Sequence, residues 1–204
     1  MLDRARFPRL AQYADTLPQG FASFPECRAK GSICRHLLEK HPVTGPKGLP
    51  DEIAAFVERP VPHSSWVSEC ACMGLHMAIG DAYGMEEAAY DRWLYDHNAG
   101  LLEGRFMFRS IMSLATPGVL MHGAAIRFNG FHQGTKLEIT SRNPNAVEFQ
   151  LGYPKGIYSD LCLAAFRAAF QVSLDMTQAK NLRCELAKAE PAMAFFRVSW
   201  EKWD

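Results

Sequence analysis

Apolar residues fall three and four positions apart at Phe7, Leu10, Tyr13, Ala14 and Leu17. That spacing predicts one helix over Arg4–Leu17, with Pro8 tolerated near its start and Pro18-Gln19-Gly20 ending it. A second short helix is predicted over Lys30–His41 from Ile33, Leu37 and Leu38, stopped by Pro42. Residues 43–50 hold Gly45, Pro46, Gly48 and Pro50 and read as an exposed loop. Pro50-Asp51-Glu52 opens a third helix with acids in its first turn, and Arg59-Pro60-Val61-Pro62 ends it. Ser64 or Ser65 is the expected cap of a longer helix that runs to about Gly84, with Glu69 completing a capping box. Another helix starts near Glu86 and carries Ala89, Tyr90, Trp93, Leu94 and His97, and Asn98-Ala99-Gly100 interrupts or loosens it. The apolar run Phe106–Leu114 follows, and Pro117 begins a helix reaching Phe131.

The period then changes. Leu137, Ile139 and Ser141 alternate with Lys136, Glu138 and Thr140, and Val147, Phe149 and Leu151 alternate with Glu148 and Gln150. The polar turn Asn143-Pro144-Asn145 joins these runs into a hairpin. Residues 158–176 read as the clearest helix, apolar except for a narrow stripe of Asp160, Arg167, Gln171 and Asp175. Leu182, Cys184 and Leu186, then Phe196, Val198 and Trp200, alternate with polar residues and form a second hairpin around 187–192. The expected fold class is therefore α+β. A helical half over 1–131 precedes a ββαββ half over 132–204, in one domain, with antiparallel strands near 134–142, 146–152, 180–187 and 194–201. Short links permit only antiparallel pairs.

Composition narrows the function. Lys plus Arg and Asp plus Glu both number 22, so the net charge is zero. A neutral chain with even charge argues against nucleic-acid binding and against a polybasic membrane-surface role. No apolar run approaches membrane-spanning length, and charges interrupt the N-terminus within three residues, so a cytoplasmic protein is expected. The six cysteines are then expected as reduced thiols. With an apolar-rich helical half and a chain of zero net charge, self-association as a twofold dimer is expected.

Enzymatic fingerprints are missing: the chain has no G-x-S-x-G, H-E-x-x-H, G-x-x-x-x-G-K-[ST] or G-x-G-x-x-G. Cys70 and Cys72, two apart on a helix, point roughly 200° from each other and cannot share one metal, so no metal site is expected. His76, His97 and His122 lie on helices expected to cover the sheet, where a hydrogen-bonded structural role competes with a ligand contact. Arg105, Arg109 and Arg127 stand among large apolar residues, where an Arg either snorkels or clamps a carboxylate or phosphate. Tyr90, Trp93 and His97 share one helix face and read as core or as an aromatic pocket wall.

The runs Gly134-Thr135-Lys136-Leu137, Val147-Glu148-Phe149, Tyr158 through Phe166, Leu182-Arg183-Cys184-Glu185 and Phe195 through Trp200 resemble the V4R (4-vinyl reductase) domain. That domain shares a fold with the Bet3 subunit of TRAPP and the haem-nitric-oxide-binding domain. The whole chain, with Phe24-Pro25-Glu26-Cys27 and a final tryptophan strand, is similar to DUF2378-type proteins of myxobacteria. The resemblance implies a helical portion before two strands, a buried helix and two more strands, with a small hydrophobic molecule in the core. Ala192-Met193-Ala194 stands where the family carries a further cysteine, and no Tyr-x-Ser-x-Arg run occurs, so neither a family metal site nor haem is expected.

The leading expectation is a cytoplasmic sensor or adaptor that binds a small hydrophobic or amphipathic molecule and uses no cofactor. Its cavity is expected between the 158–176 helix, the sheet and the helices carrying Trp93 and His122. Phe166 and Phe170 would line it, and His97, His122 and Arg109 would orient the guest. The rivals are an enzyme using His97 or His122 as base and an interaction subunit whose pocket is filled by its own side chains.

Overall fold

A computed structural model describes residues 1–103, 117–177 and 179–201. The expected apolar segment Phe106–Leu114, with Arg105 and Arg109, lies outside these residues. The chain forms two compact units. The first comprises residues 1–90, 131–134 and 154–159, and the second comprises 91–130, 135–153 and 160–204.

In the first unit, α1 (Pro8–Thr16) starts with proline at its first turn and buries Leu10, Ala11 and Tyr13. It is followed by β1 (Pro18–Phe21), β2 (Arg28–Lys30), α2 (Gly31–Lys40), α3 (Asp51–Glu58), β3 (Trp66–Ser68) and α4 (Glu69–Ala82). The central element is α4, whose residues from Glu69 to Gly80 are all buried. Close packing around it needs glycine. A Cβ on Gly74 would come within 2.6 Å of the Phe21 ring and 2.7 Å of Ile53, and one on Gly80 within 2.6 Å of the Tyr90 ring. Asp81, near the end of α4, accepts from the Arg9 guanidinium at 3.2 Å and from the Leu10 amide at 3.1 Å, fastening α1 to α4.

The first half is thus not purely helical. Strands β3, β2 and β4 (His132–Gln133) form an antiparallel sheet in that order, with Ala29 opposite both Val67 and His132. Runs of two to four residues are too short to display a period-2 pattern. The helix cap differs as well. Ser65, Trp66 and Val67 are not helical, and Ser68 is the cap, its hydroxyl accepting the Ala71 amide at 3.3 Å and donating to the Phe21 carbonyl at 3.1 Å. Glu69 is therefore the first helical residue and not the far member of a capping box.

In the second unit, α5 (Glu87–Glu103, its residues from Asp91 on) continues through Asn98-Ala99-Gly100. The Asn98 side chain donates to the Leu94 carbonyl at 2.7 Å there. Helix α6 spans Pro117–Phe131 and α7 spans Asp160–Asp175. Strands β5 (Lys136–Asn143), β6 (Ala146–Gly152), β7 (Arg183–Glu190) and β8 (Met193–Ser199) form one antiparallel sheet in the order β5-β6-β8-β7. The α+β class and the four-stranded antiparallel sheet around an intervening helix are as the alternation implied. The second hairpin turns later and more tightly than expected. Strand β7 passes through an irregularity between Leu186 and Lys188 and pairs as far as Glu190 opposite Met193. Helix α7 buries Leu163, Phe166, Phe170 and Leu174 among other apolar side chains, each worth roughly 1.5–3 kcal/mol of transfer free energy. All six cysteines are buried. No helix among the described residues is long and apolar enough to cross a membrane.

Candidate functional site

The residues singled out by sequence divide into three groups within the second unit. Trp93 and His97, one turn apart on α5, are 8% and 4% exposed, and their rings stack with centroids 5.7 Å apart. Phe166 and Phe170 stack on each other along α7 at 6.5 Å. Phe166 also meets Phe128 of α6 at 5.8 Å, and Phe170 meets Phe149 of β6 at 4.9 Å and Phe196 of β8 at 5.3 Å. These rings occupy one another's faces and edges, the offset and T-shaped arrangements that aromatic quadrupoles favour. His122 is on the exposed side of α6, and the Arg142 guanidinium of β5 donates to its Nδ1 at 3.0 Å. Arg109 falls outside the described residues.

The helix carrying His97 is also tethered on another side. The Tyr95 hydroxyl donates to Asp175 Oδ2 at 2.7 Å. Asp175 Oδ1 accepts from Gln171 Nε2 at 2.7 Å, and Gln171 Oε1 accepts the Cys184 amide at 2.8 Å. The hydrogen bond to the Asp175 carboxylate pushes the Tyr95 phenol up to about 12, so it remains a donor at all ordinary pH values.

Sequence reasoning missed the polar centre of the first unit. Glu69 is fully buried. Its carboxylate accepts from His132 Nδ1 at 3.1 and 3.0 Å and from the Tyr158 hydroxyl at 3.1 Å, while its own amide donates to the Cys27 carbonyl at 3.0 Å. One turn along α4, His76 donates from Nδ1 to the Cys72 carbonyl at 3.0 Å, and burial holds its imidazole below the ordinary value of 6.5. Gly134 abuts this region at φ +76°, where a Cβ would come within 2.7 Å of Cys27 Sγ. One signal was available: Glu69 is the single charge at the head of an otherwise uncharged run from Cys70 to Gly80. The same unit has an open pocket of about 260 Å³ walled by Leu38, Val43, Phe56, Val57 and Val61, with the Arg35–Glu39 ion pair beside it.

Comparison with family sequence models gives no match, and comparison with curated proteins gives none. Solved structures do match. An H-NOX structure from work on heme distortion in that family superposes with TM-score 0.55 at 10% identity, over 84% of this chain and 93% of the other. An oxygen-binding H-NOX domain related to soluble guanylate cyclases, in its oxygen complex, gives 0.53 at 9% over 84% and 93%. The Fe(II) unliganded H-NOX protein from K. algicida gives 0.52 at 9% over 85% and 97%. The fold is that of H-NOX domains.

That finding corrects two expectations. The structural matches are H-NOX domains and not V4R, Bet3-like or DUF2378-type proteins. The helical-half-then-ββαββ order that carried the resemblance is common to the whole fold group and could not choose among its members. The expectation of no cofactor is overturned as well, because the fold is shared with haem-binding domains. Among the described residues no cluster of three or more His, Cys, Asp or Glu could hold a bare metal ion. A haem iron has four porphyrin nitrogens and needs one protein donor, most often an imidazole. His97 meets that need: it is a buried imidazole on a helix, beside an aromatic wall. The donor chemistry therefore fits, although the chain still lacks a Tyr-x-Ser-x-Arg run.

Proposed function

We propose that this chain is a small-molecule sensor domain that holds a haem through His97. What carries the reading is the buried His97 imidazole, stacked on Trp93, in a chain with an H-NOX fold. When bound, the haem would supply an iron centre for a small gaseous ligand. Everything else falls to the chain's own side chains. Trp93 restricts rotation of the His97 ring, because turning the imidazole would break a 27° stack. A neutral imidazole is the form in which a ring nitrogen has a lone pair to give. The aromatic rings of Phe128, Phe166 and Phe170 give the second unit an apolar, water-excluding interior.

The test is titration of purified protein with hemin. Wild type is expected to take up one equivalent and develop a sharp Soret band. His97→Phe, which keeps an aromatic ring beside Trp93, is expected to lose that band, and imidazole added to the buffer is expected to restore it in His97→Gly. A wild-type protein that leaves hemin unbound overturns the proposal. So does a His97→Phe protein whose spectrum matches wild type.

A further inference from the structure

The stack on Trp93 restrains the His97 ring from one side, and the direction of the imidazole also depends on how the helix beneath it is held. Rotation of α5 about its axis is opposed on its inner side by the burial of Trp93, Leu94 and His97. A rotation of that kind would swing the His97 ring through space. Residues two apart on a helix project roughly 200° from each other. Tyr95 and His97 therefore stand on nearly opposite sides of α5, and a tether at Tyr95 opposes rotation of His97 directly.

The tether is continuous. Tyr95 donates to Asp175 at the C-terminal end of α7, and Asp175 receives Gln171 on its other oxygen. Gln171 accepts the Cys184 amide of β7 and also donates to the Leu182 carbonyl at 3.4 Å. The run therefore ends on the backbone of a strand whose register is set by its pairing with β8, Cys184 opposite Val198. Both oxygens of Asp175 are engaged, so the carboxylate cannot turn toward Tyr95 or away from it without breaking a bond. Resting on the reading of His97 above, we propose that Tyr95 is a positioning residue for His97. The chain Tyr95–Asp175–Gln171–Cys184 sets the rotation of α5 about its axis, and with it the direction of the imidazole.

Tyr95→Phe removes one oxygen and keeps the ring. Asp175→Ala removes the same bond from the other side, and the one from Gln171 with it. In the haem-free protein each is expected to raise amide hydrogen exchange across residues 92–100 by about tenfold, the effect of losing one charge-assisted hydrogen bond. Each is also expected to shift the His97 ring proton resonances, which report stacking on Trp93. The double variant is expected to match Asp175→Ala, because that change already breaks the Tyr95 bond together with the one from Gln171. In hemin-loaded protein the same variants are expected to shift the Soret band and weaken hemin binding several-fold. Ser173→Ala, which removes a hydroxyl bonded to the Ala169 carbonyl on the same helix, is expected to change neither signal. Unchanged exchange in α5 overturns the proposal. Raised exchange with an unmoved His97 resonance also overturns it, since the bond would then stabilise the helix without aiming the ring. A wild type that takes up no hemin sinks the haem reading alone, because exchange and the His97 resonance are measured without haem.

Discussion

The two units solve the problem of a stable interior with opposite chemistry. At the centre of the first lies a carboxylate, Glu69, wholly buried and bonded by His132 and Tyr158, with His76 one turn away. At the centre of the second, Phe149, Phe166, Phe170 and Phe196 sit ring on ring over a sheet whose inner positions are apolar. The aromatic interior draws its stability from area removed from water and tolerates changes of pH. A buried carboxylate gains little net stability over an apolar substitute, but removing one partner strands a charge. What such a cluster supplies is a single permitted arrangement. Here it joins residues 131–134 and 154–159 to the head of α4. The Glu69 cluster is saturated by its own chain, and the phenylalanine rings fill one another's faces and edges.

The largest expected effects test this contrast directly. Phe170→Ala opens a void against two strands and is expected to cost about 3–5 kcal/mol in urea unfolding, by the same amount at pH 5.5 and pH 8. Glu69→Leu leaves His132 and Tyr158 without their acceptor and is expected to cost about 1–3 kcal/mol for each donor left unmet. Glu69→Gln retains an acceptor for His132 and Tyr158 and is expected to cost only about 1–3 kcal/mol. A Glu69→Leu protein as stable as wild type would show that the first unit is held by apolar packing like the second.

A smaller effect concerns pH. His76 has a folded value below its ordinary 6.5, from burial, so below that pH the unfolded chain binds a proton that the folded one refuses. The stability of the first unit is then expected to fall as pH drops below 6.5, with a slope approaching about 1.4 kcal/mol per pH unit, and to be flat in this respect above it. His36 and His41, in the same unit, are depressed by burial in the same direction. His76→Phe is expected to reduce the slope. Hydrogen exchange resolved by segment checks this, and an equal acid sensitivity of β6 and β8 would erase the difference between the units.

The smallest effect is one of rate. Burial pushes the thiols of Cys27 and Cys184 up to about 12, one in each unit. Iodoacetamide at pH 8 is therefore expected to label both slowly, and only through local opening. Lowering the pH of a preincubation should speed labelling of Cys27 relative to Cys184. Identical rates at every pH would argue that the two units open together.

Much of this molecule was legible along the chain, and the reason is local. Period-2 alternation within seven or eight residues specifies β5, β6 and β8. The apolar face of residues 160–175, with its polar stripe through Gln171 and Asp175, specifies α7. Helices α1 to α3 announce themselves through proline, glycine and acidic residues at their ends. The burial of Trp93, His97, Phe166 and Phe170 also follows from their positions on apolar faces. What the chain alone leaves undecided depends on partners far off in sequence. Strands β2, β3 and β4 are two or three residues long and exist through pairing with one another. Glu69 meets His132 and Tyr158 across 63 and 89 residues, and Tyr95 meets Asp175 across 80. A lone glutamate before an apolar helix reads as a cap because capping is the nearest use for it. Only the folded chain brings a histidine and a tyrosine to the same carboxylate, since hydrogen bonds are set by distance in space, and periodicity carries no record of that distance.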